Sequence, residues 1–311
     1  MKFFPDSRNR PFFGAIEAGG TKFLCATGPD PNEITASERI ATAAPAETLA
    51  QAVRFFRATQ ESHGPLRALG VVSFGPIDLR RNSPTFGHLT TTPKEGWRGF
   101  DLIGTLRREL SLPVAFDTDV NGAALAEWKW GAGRGGRSCL YITVGTGIGG
   151  GFVLDGRSLQ GLFHPEMGHL LLRRDHRQDP FEGICPYHRD CLEGLASGPA
   201  LSSRWKTEPR NLPSDHPAWP LEAEYLGQAV TQWILTLSPE IIVLGGGVMK
   251  QLHLFPLIRR KVRALLNGYL PLPQILDLPE SYIRPPDLGD RSGIAGAFAL
   301  AAELTAIPPP S

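Results

Sequence analysis

Residues able to do chemistry concentrate between Tyr141 and Cys191. The stretch opens as YITVGTGIGGGFVLDG, an apolar run that turns at glycine and returns, continues through FHPEMGHLLL, and closes on CPYHRDCLEG. Backbone amides in a glycine turn can hold phosphate oxygens, carboxylate and imidazole can bind a polyol and move protons, and thiolate with imidazole can ligate a metal. Parts of these three kinds in one stretch argue for an enzyme site, because packing alone rarely assembles them.

Three glycine corners stand out: EAGGTK at 17–22, GTGIGGG at 145–151 and GGGVM at 245–249. Each alone also fits an ordinary hairpin turn or strand end. Together, with hydroxyls at Thr21 and Thr146, they point to phosphate. None matches a Walker loop or a GxGxxG that opens a helix, which excludes the P-loop and Rossmann labels.

Asp119, in FDTDVNGAALAE, falls where a strand gives way to a helix. A carboxylate there can accept a hydroxyl proton while the helix N-terminus favours its ionised form, although the position alone also fits an N-cap. Asp117 is the competing base, two residues earlier on the same strand face and deeper in the sheet. In CPYHRDC, Cys185, His188 and Cys191 recur at every third residue. Tetrahedral structural zinc takes four such ligands, and His169 is the choice for the fourth, with His164 and His176 as alternatives. A metal there would also fix Glu166 and Glu193 for hydrogen bonds with sugar hydroxyls; without it they read as solvated acids.

The elements that must position these groups follow from periodicity and breakers. Strands are expected at 12–18, 21–28 and near 34–42, a helix from Pro45 to Ser62, and a buried strand in ALGVVSFGPID stopped by Gly75 and Pro76. A polar loop then runs to Trp97, followed by the helix DLIGTLRRELSL, the strand PVAFDTD and a helix beginning just after Asp119. The hairpin at 138–156 repeats the strand, glycine turn and strand of 12–28, an internal duplication implying two lobes. Arg204 to Pro220 reads as a surface excursion before the helix EAEYLGQAVTQWILTL. IIVLGGGVM reads as a strand ending in three glycines, LFPLIRRKVRALLNG and SGIAGAFALAAELTA as helices, and the tail IPPPS as frayed. RRDHR at 173–177 is expected as a solvated basic loop, RRKVR at 259–263 as an exposed helix face, and the tryptophans as core or loop anchors. Strands alternating with helices indicate an α/β protein.

At 311 residues the chain exceeds what one core usually accommodates. A net charge of +1, from 32 basic and 31 acidic side chains, gives no reason to expect nucleic acid or an anionic membrane as a partner. Pro5, Asp6, Arg8 and Arg10 interrupt any signal-peptide run, and no apolar stretch approaches the roughly 20 residues of a membrane span, so a cytoplasmic protein is expected. Four cysteines in a chain of this length do not make a disulfide framework.

On these motifs, from about Phe13 to Ala302, the chain resembles the ROK family of sugar kinases, most closely its zinc-containing bacterial fructokinases. EAGGTK is similar to the family's first phosphate motif, GTGIGGG to its second and GGGVM to its adenosine-side motif. TDVNGAALAE resembles the segment carrying the catalytic aspartate, here Asp119, and EMGH with CPYHRDCLEG its sugar and zinc region. The resemblance implies a two-lobed actin-like ATPase fold with ribonuclease H-like sheets and a cleft between lobes. The smaller lobe would span 12–117, completed by a C-terminal helix at 291–305, and the larger would span 118–290. It implies ATP-dependent phosphorylation of a hexose, fructose first and glucose, mannose or an amino sugar as alternatives, with magnesium, structural zinc and a homodimer. Sugar contacts would fall on Gly75, Pro76, Thr118, Asp119, Glu166, His169 and Glu193. Nucleotide contacts would fall on Glu17, Gly19, Gly20, Thr21, Lys22, Gly145, Thr146, Gly147, Gly245, Gly246 and Gly247, and zinc on His169, Cys185, His188 and Cys191. The chain departs from many relatives in carrying Glu17 for Asp and Thr118 for Asn. ROK repressors carry an N-terminal helix-turn-helix, for which the hairpin starting near residue 13 leaves no room.

Overall fold

The computed structural model describes residues 10–92 and 94–306; the tail expected to fray lies outside them. Two compact units form. In the first, β1 (Phe13–Ala18) and β2 (Lys22–Gly28) make an antiparallel hairpin and β3 (Ala36–Ala41) extends it. Helix α1 (Pro45–His63) leads to β4 (Ala68–Ser73), which pairs parallel to β1; α2 (Leu102–Leu110) leads to β5 (Val114–Thr118), parallel to β4. Parallel neighbours need a crossover, and each of these helices supplies one. The sheet order is β3-β2-β1-β4-β5.

Helix α3 (Asp119–Trp130) passes into the second unit, whose sheet is built the same way. There β6 (Ser138–Val144) and β7 (Ile148–Leu154) form the antiparallel hairpin and β8 (Arg157–Ser158) extends it. After α4 (Leu192–Ala196), α5 (Gly198–Trp205) and α6 (Ala218–Leu237), β9 (Ile242–Gly245) pairs parallel to β6. Helices α7 (Leu254–Leu266) and α8 (Pro273–Leu276) then lead to β10 (Ile283–Arg284), parallel to β9. The order β10-β9-β6-β7-β8 repeats the first sheet strand for strand, as the duplicated hairpins anticipated. This is the two-lobed actin-like ATPase architecture.

Each unit has its own core. Ile16, Phe23, Phe56 and Trp97 are fully enclosed in the first, and Leu140, Ile142, Trp219 and Leu254 in the second. Helix α9 (Ser292–Ala306) returns to the first unit and packs on β4, β1 and β5. The approach is backbone to backbone: a Cβ on Gly70 would lie 1.8 Å from the Ala297 carbonyl oxygen, and one on Gly296 2.2 Å from that of Gly122. Gly122 itself leaves room for Val72. The first unit therefore keeps α3 through Ala126 and also takes Gln160–His164, so the division falls inside α3 and not at 117/118.

Three expectations need correction. Arg204–Pro220 is not simply an excursion: Arg204 and Trp205 end α5, and α6 starts at Ala218 because Trp219 is buried and its indole N–H donates to the Pro213 carbonyl (2.6 Å). Arg174, within the supposedly solvated RRDHR, has a side chain only 3% exposed. Arg259, in RRKVR, is largely covered and donates to the Ile283 carbonyl (2.8 Å through Nη2), while Arg260 and Arg263 remain exposed.

Gly70→Ala is expected to lower unfolding free energy by about 3 kcal/mol, since the new methyl must displace α9, a rigid neighbour. A urea titration checks this.

Candidate active site

Asp119 is the first residue of α3, directly after β5, and it is half-buried. Its Oδ1 accepts from the Val120 amide at 2.9 Å. Removal from water pushes its pKa up to about 6, against the pull of the backbone amides. A carboxylate so poised is a better proton acceptor near neutral pH than an ordinary aspartate.

Asp117 is buried and fully engaged. Its Oδ1 accepts from the Thr118 amide and the Asn121 side chain, both at 2.7 Å, and its Oδ2 from Gln160 at 3.4 Å. Thr118 Oγ1 accepts from the Asn121 amide at 3.1 Å. Asp117 and Thr118 thus brace the start of α3, and Asp119 is the more exposed of the two aspartates. Across the same unit the Gly75–Pro76 peptide is cis, and the Ile77 amide donates to His164 Nε2 at 3.4 Å. The following loop is tied down by Asp78, which accepts from Arg80, Ser83 and Thr85. His164 is consequently a buried member of the first unit and no metal ligand.

The first glycine corner joins β1 to β2, with the Gly19 amide donating to the Lys22 carbonyl at 2.9 Å. A Cβ on Gly19 would meet that same oxygen at 2.8 Å, whereas Gly20 faces open space. Neither has a left-handed backbone, so glycine serves here for close approach and an uncovered peptide. Thr21 and Lys22 are exposed. Glu17, on β1, lies against the first turn of α9: a Cβ on Gly293 would be 2.6 Å from its Oε1.

In the second unit, two corners and a helix start converge. The Gly198 amide, opening α5, donates to the Gly145 carbonyl at 2.8 Å, and the Gly247 nitrogen is 3.8 Å from a Cβ placed on Gly145. Gly246 has φ of 92° and would drive a Cβ to 2.4 Å from the Val144 carbonyl, so only glycine is tolerated. Gly145, Thr146, Gly147, Gly245, Gly246 and Gly247 are thereby brought together with the N-terminus of α5, a favourable place for an anion. Sequence reading passed over α5, although Ser197–Gly198–Pro199 carries its signature: Ser197 Oγ accepts from the Ala200 amide at 3.3 Å, and proline falls in the first turn.

Glu193 is no solvated acid. From α4 its Oε2 accepts the Ile148 amide at 2.8 Å, and a Cβ on Gly147 would come within 2.7 Å of the same oxygen. Glu166 is exposed and precedes a single 3-10 turn, Met167–His169. That turn packs on β7 through Gly168, where a Cβ would lie 1.8 Å from the Ile148 carbonyl. Glu166, His169 and Glu193 are thus all referenced to the second corner.

His169, Cys185, His188 and Cys191 gather as expected, their ligand atoms within 4.8 Å of one another. His169 Nδ1 is 3.4 Å from Cys191 Sγ and 3.9 Å from Cys185 Sγ, and His188 Nδ1 is 3.6 Å from Cys185 Sγ. Tetrahedral zinc with bonds of 2.0–2.3 Å sets its ligands roughly 3.3–3.8 Å apart, so two thiolates and two imidazole nitrogens fit the ion with small adjustment. His176 lies outside the cluster. The other cysteines, Cys25 and Cys139, are enclosed by the cores.

Comparison with known proteins agrees with this arrangement. The ROK family profile matches residues 13–304. The fructokinase of Pediococcus pentosaceus is 42% identical over 288 residues, spanning 93% of this chain and 96% of its own. The fructokinase of Lactococcus lactis subsp. cremoris is 41% identical over 294 residues, 94% of this chain and 98% of its own. The crystal structure of the ROK hexokinase from Thermus thermophilus is similar with a TM-score of 0.77 at 29% identity, covering 95% of this chain and 99% of that one. The family match over residues 13–304, with relatives above 40% identity across nearly the whole length, places the chain in the ROK family.

Proposed function

We propose that the chain is an ATP-dependent fructokinase, converting ATP and D-fructose to ADP and D-fructose 6-phosphate. The observation that carries the reading is Asp119, a carboxylate at a helix start with its pKa lifted to about 6, in a chain 42% identical to a named fructokinase. In the step proposed, Asp119 takes the proton of the attacking sugar hydroxyl. That oxygen bonds to the γ-phosphorus, the bond from phosphorus to the bridging oxygen breaks, and ADP leaves. Amides around Gly20, Thr21, Gly145 and Thr146 hold the phosphates, with Gly19, Lys22 and Gly147 completing the corners and Gly245–Gly247 on the adenosine side. Glu166, His169 and Glu193, with Gly75, Pro76 and Thr118, would bind the sugar hydroxyls.

Magnesium brought in with the nucleotide would offset the charge that develops on the phosphates in transfer. Glu17 is the carboxylate at the first corner suited to its outer shell. Zinc on His169, Cys185, His188 and Cys191 would be structural, since four protein ligands leave no open position. Partners are then a hexose and ATP, with a homodimer expected from the family resemblance. No helix among the described residues is long and apolar enough to cross a membrane.

A coupled assay of ADP formation with fructose, glucose, mannose and no sugar is the direct test; fructose-dependent turnover is expected, and turnover only with another hexose would replace the substrate. Asp119→Asn should cut kcat by at least about 10³-fold with ATP binding retained. Because the carboxylate is the active form, kcat/KM should fall as pH drops through about 6, the value to which burial raises Asp119. Chelation of zinc should reduce turnover together with the near-ultraviolet circular dichroism of the second unit's aromatic residues, and zinc should restore both. Light scattering should give twice the 33.8 kDa chain mass.

A further inference from the structure

Behind the cysteine loop the second unit buries an ionic group that catalysis does not use. Arg174, Asp179 and Arg204 have side chains only 3%, 6% and 7% exposed. Asp179 Oδ2 accepts from Arg204 Nη2 at 3.0 Å and from the Tyr225 hydroxyl, and lies 3.6 Å from Arg174 Nη2. Arg204 also donates to the Leu195 carbonyl at 3.0 Å and stacks over Phe181, with its guanidinium carbon 4.4 Å from the ring centroid. Taking such charges out of water carries a large desolvation cost, and a buried pair is seldom more stable than well-packed apolar residues. Its value must be sought in the geometry it fixes.

That geometry belongs to the ligand loop. Between Leu171 and Cys191, which pair as an isolated bridge, the chain has no helix or strand of its own. Arg174 spans this loop with one guanidinium. Its Nη2 donates to the Asp179 carbonyl at 3.0 Å and to that of Phe181, and its Nη1 to Asp190 Oδ2 at 3.0 Å. Asp190 immediately precedes Cys191, and the enclosed residues include Cys185 and His188. Both ends of the ligand-bearing segment are therefore tied to one rigid, planar group, which is in turn locked to α5 and α6 through Asp179, Arg204 and Tyr225. Ordering so many loop residues would otherwise oppose metal binding through lost conformational entropy.

We propose that Arg174 is a positioning residue for the zinc loop, holding Asp190 and with it Cys191 in ligating geometry before the metal arrives. The inference rests on the zinc reading given above, and the test separates the two. Metal analysis of the purified holoprotein comes first: wild type without zinc overturns the metal reading and this one with it. With about one zinc per chain, release to a chromophoric chelator is then compared among wild type, Arg174→Met and Asp190→Ala. Both variants are expected to release zinc roughly tenfold faster or more, the usual scale for losing an outer-shell partner. Cobalt substituted for zinc should show shifted or weakened d–d bands in each variant, a signature that a general loss of stability would not produce. Asp190 is half-exposed, so its truncation leaves the Asp179 pairings intact and keeps the test valid should Arg174→Met fail to fold. Zinc release within twofold of wild type with unchanged cobalt bands in folded Asp190→Ala would overturn the inference.

Discussion

The close seating of α9 on the first sheet is the contact from which the first unit takes its shape. Two bare backbones meet there: Gly70 faces Ala297, and Gly122 faces Gly296, with no side chain between them. Packing at this density transmits position, because a shift of even a methyl's width has nowhere to go. One consequence runs through Gly122 to the start of α3, and so to Asp119 three residues earlier. Another runs through Gly293, whose missing side chain makes room for the Glu17 carboxylate beside the first turn of α9. Asp119 and the first glycine corner are held to one helix by contacts that glycine alone permits.

In the second unit the organising link is a single amide. The Gly198 N–H on the Gly145 carbonyl joins the start of α5 to the second corner, while Glu193 reaches the Ile148 amide from α4 on the other side. Arg204, the first residue of the excursion foreseen in the sequence, sits instead on α5 and holds Asp179 of the cysteine loop. The glycine corner and the cysteine and histidine cluster are therefore parts of one packed body. An acid that looks free in the sequence, Glu193, is spoken for by backbone at one of its oxygens.

What was legible in the sequence was local. Alternation and glycine marked both hairpins, helical spacing with Gly64 bounded α1, and the spacing of Cys185, His188 and Cys191 needed only tetrahedral chemistry to be read. The place of Asp119 between β5 and α3 was legible because a strand end and a helix start are both short-range signals. What escaped was decided by distant partners. Arg174 looks like surface until Asp179, Phe181 and Asp190 fold around it, and Trp219 pulls α6 back to Ala218 through its own burial. The partners of Asp117, Asn121 on one oxygen and Gln160 on the other, could not be read from the sequence. Helix α5 lay between these cases, since its Ser–Gly–Pro start was local but short and overshadowed by the prolines that follow.

The return of α9 also sets an order on the making of the protein. The first sheet is translated early, yet the face of β1, β4 and β5 that α9 covers has no partner until residues 292–306 emerge, after the whole of the second unit. Until then that apolar surface stands open on a nascent chain, the condition under which partly folded domains associate wrongly. The second unit draws on no residue beyond Asp290 and can close its own core first. Domain maturation on the ribosome thus runs against the direction of synthesis: the half begun first is finished last.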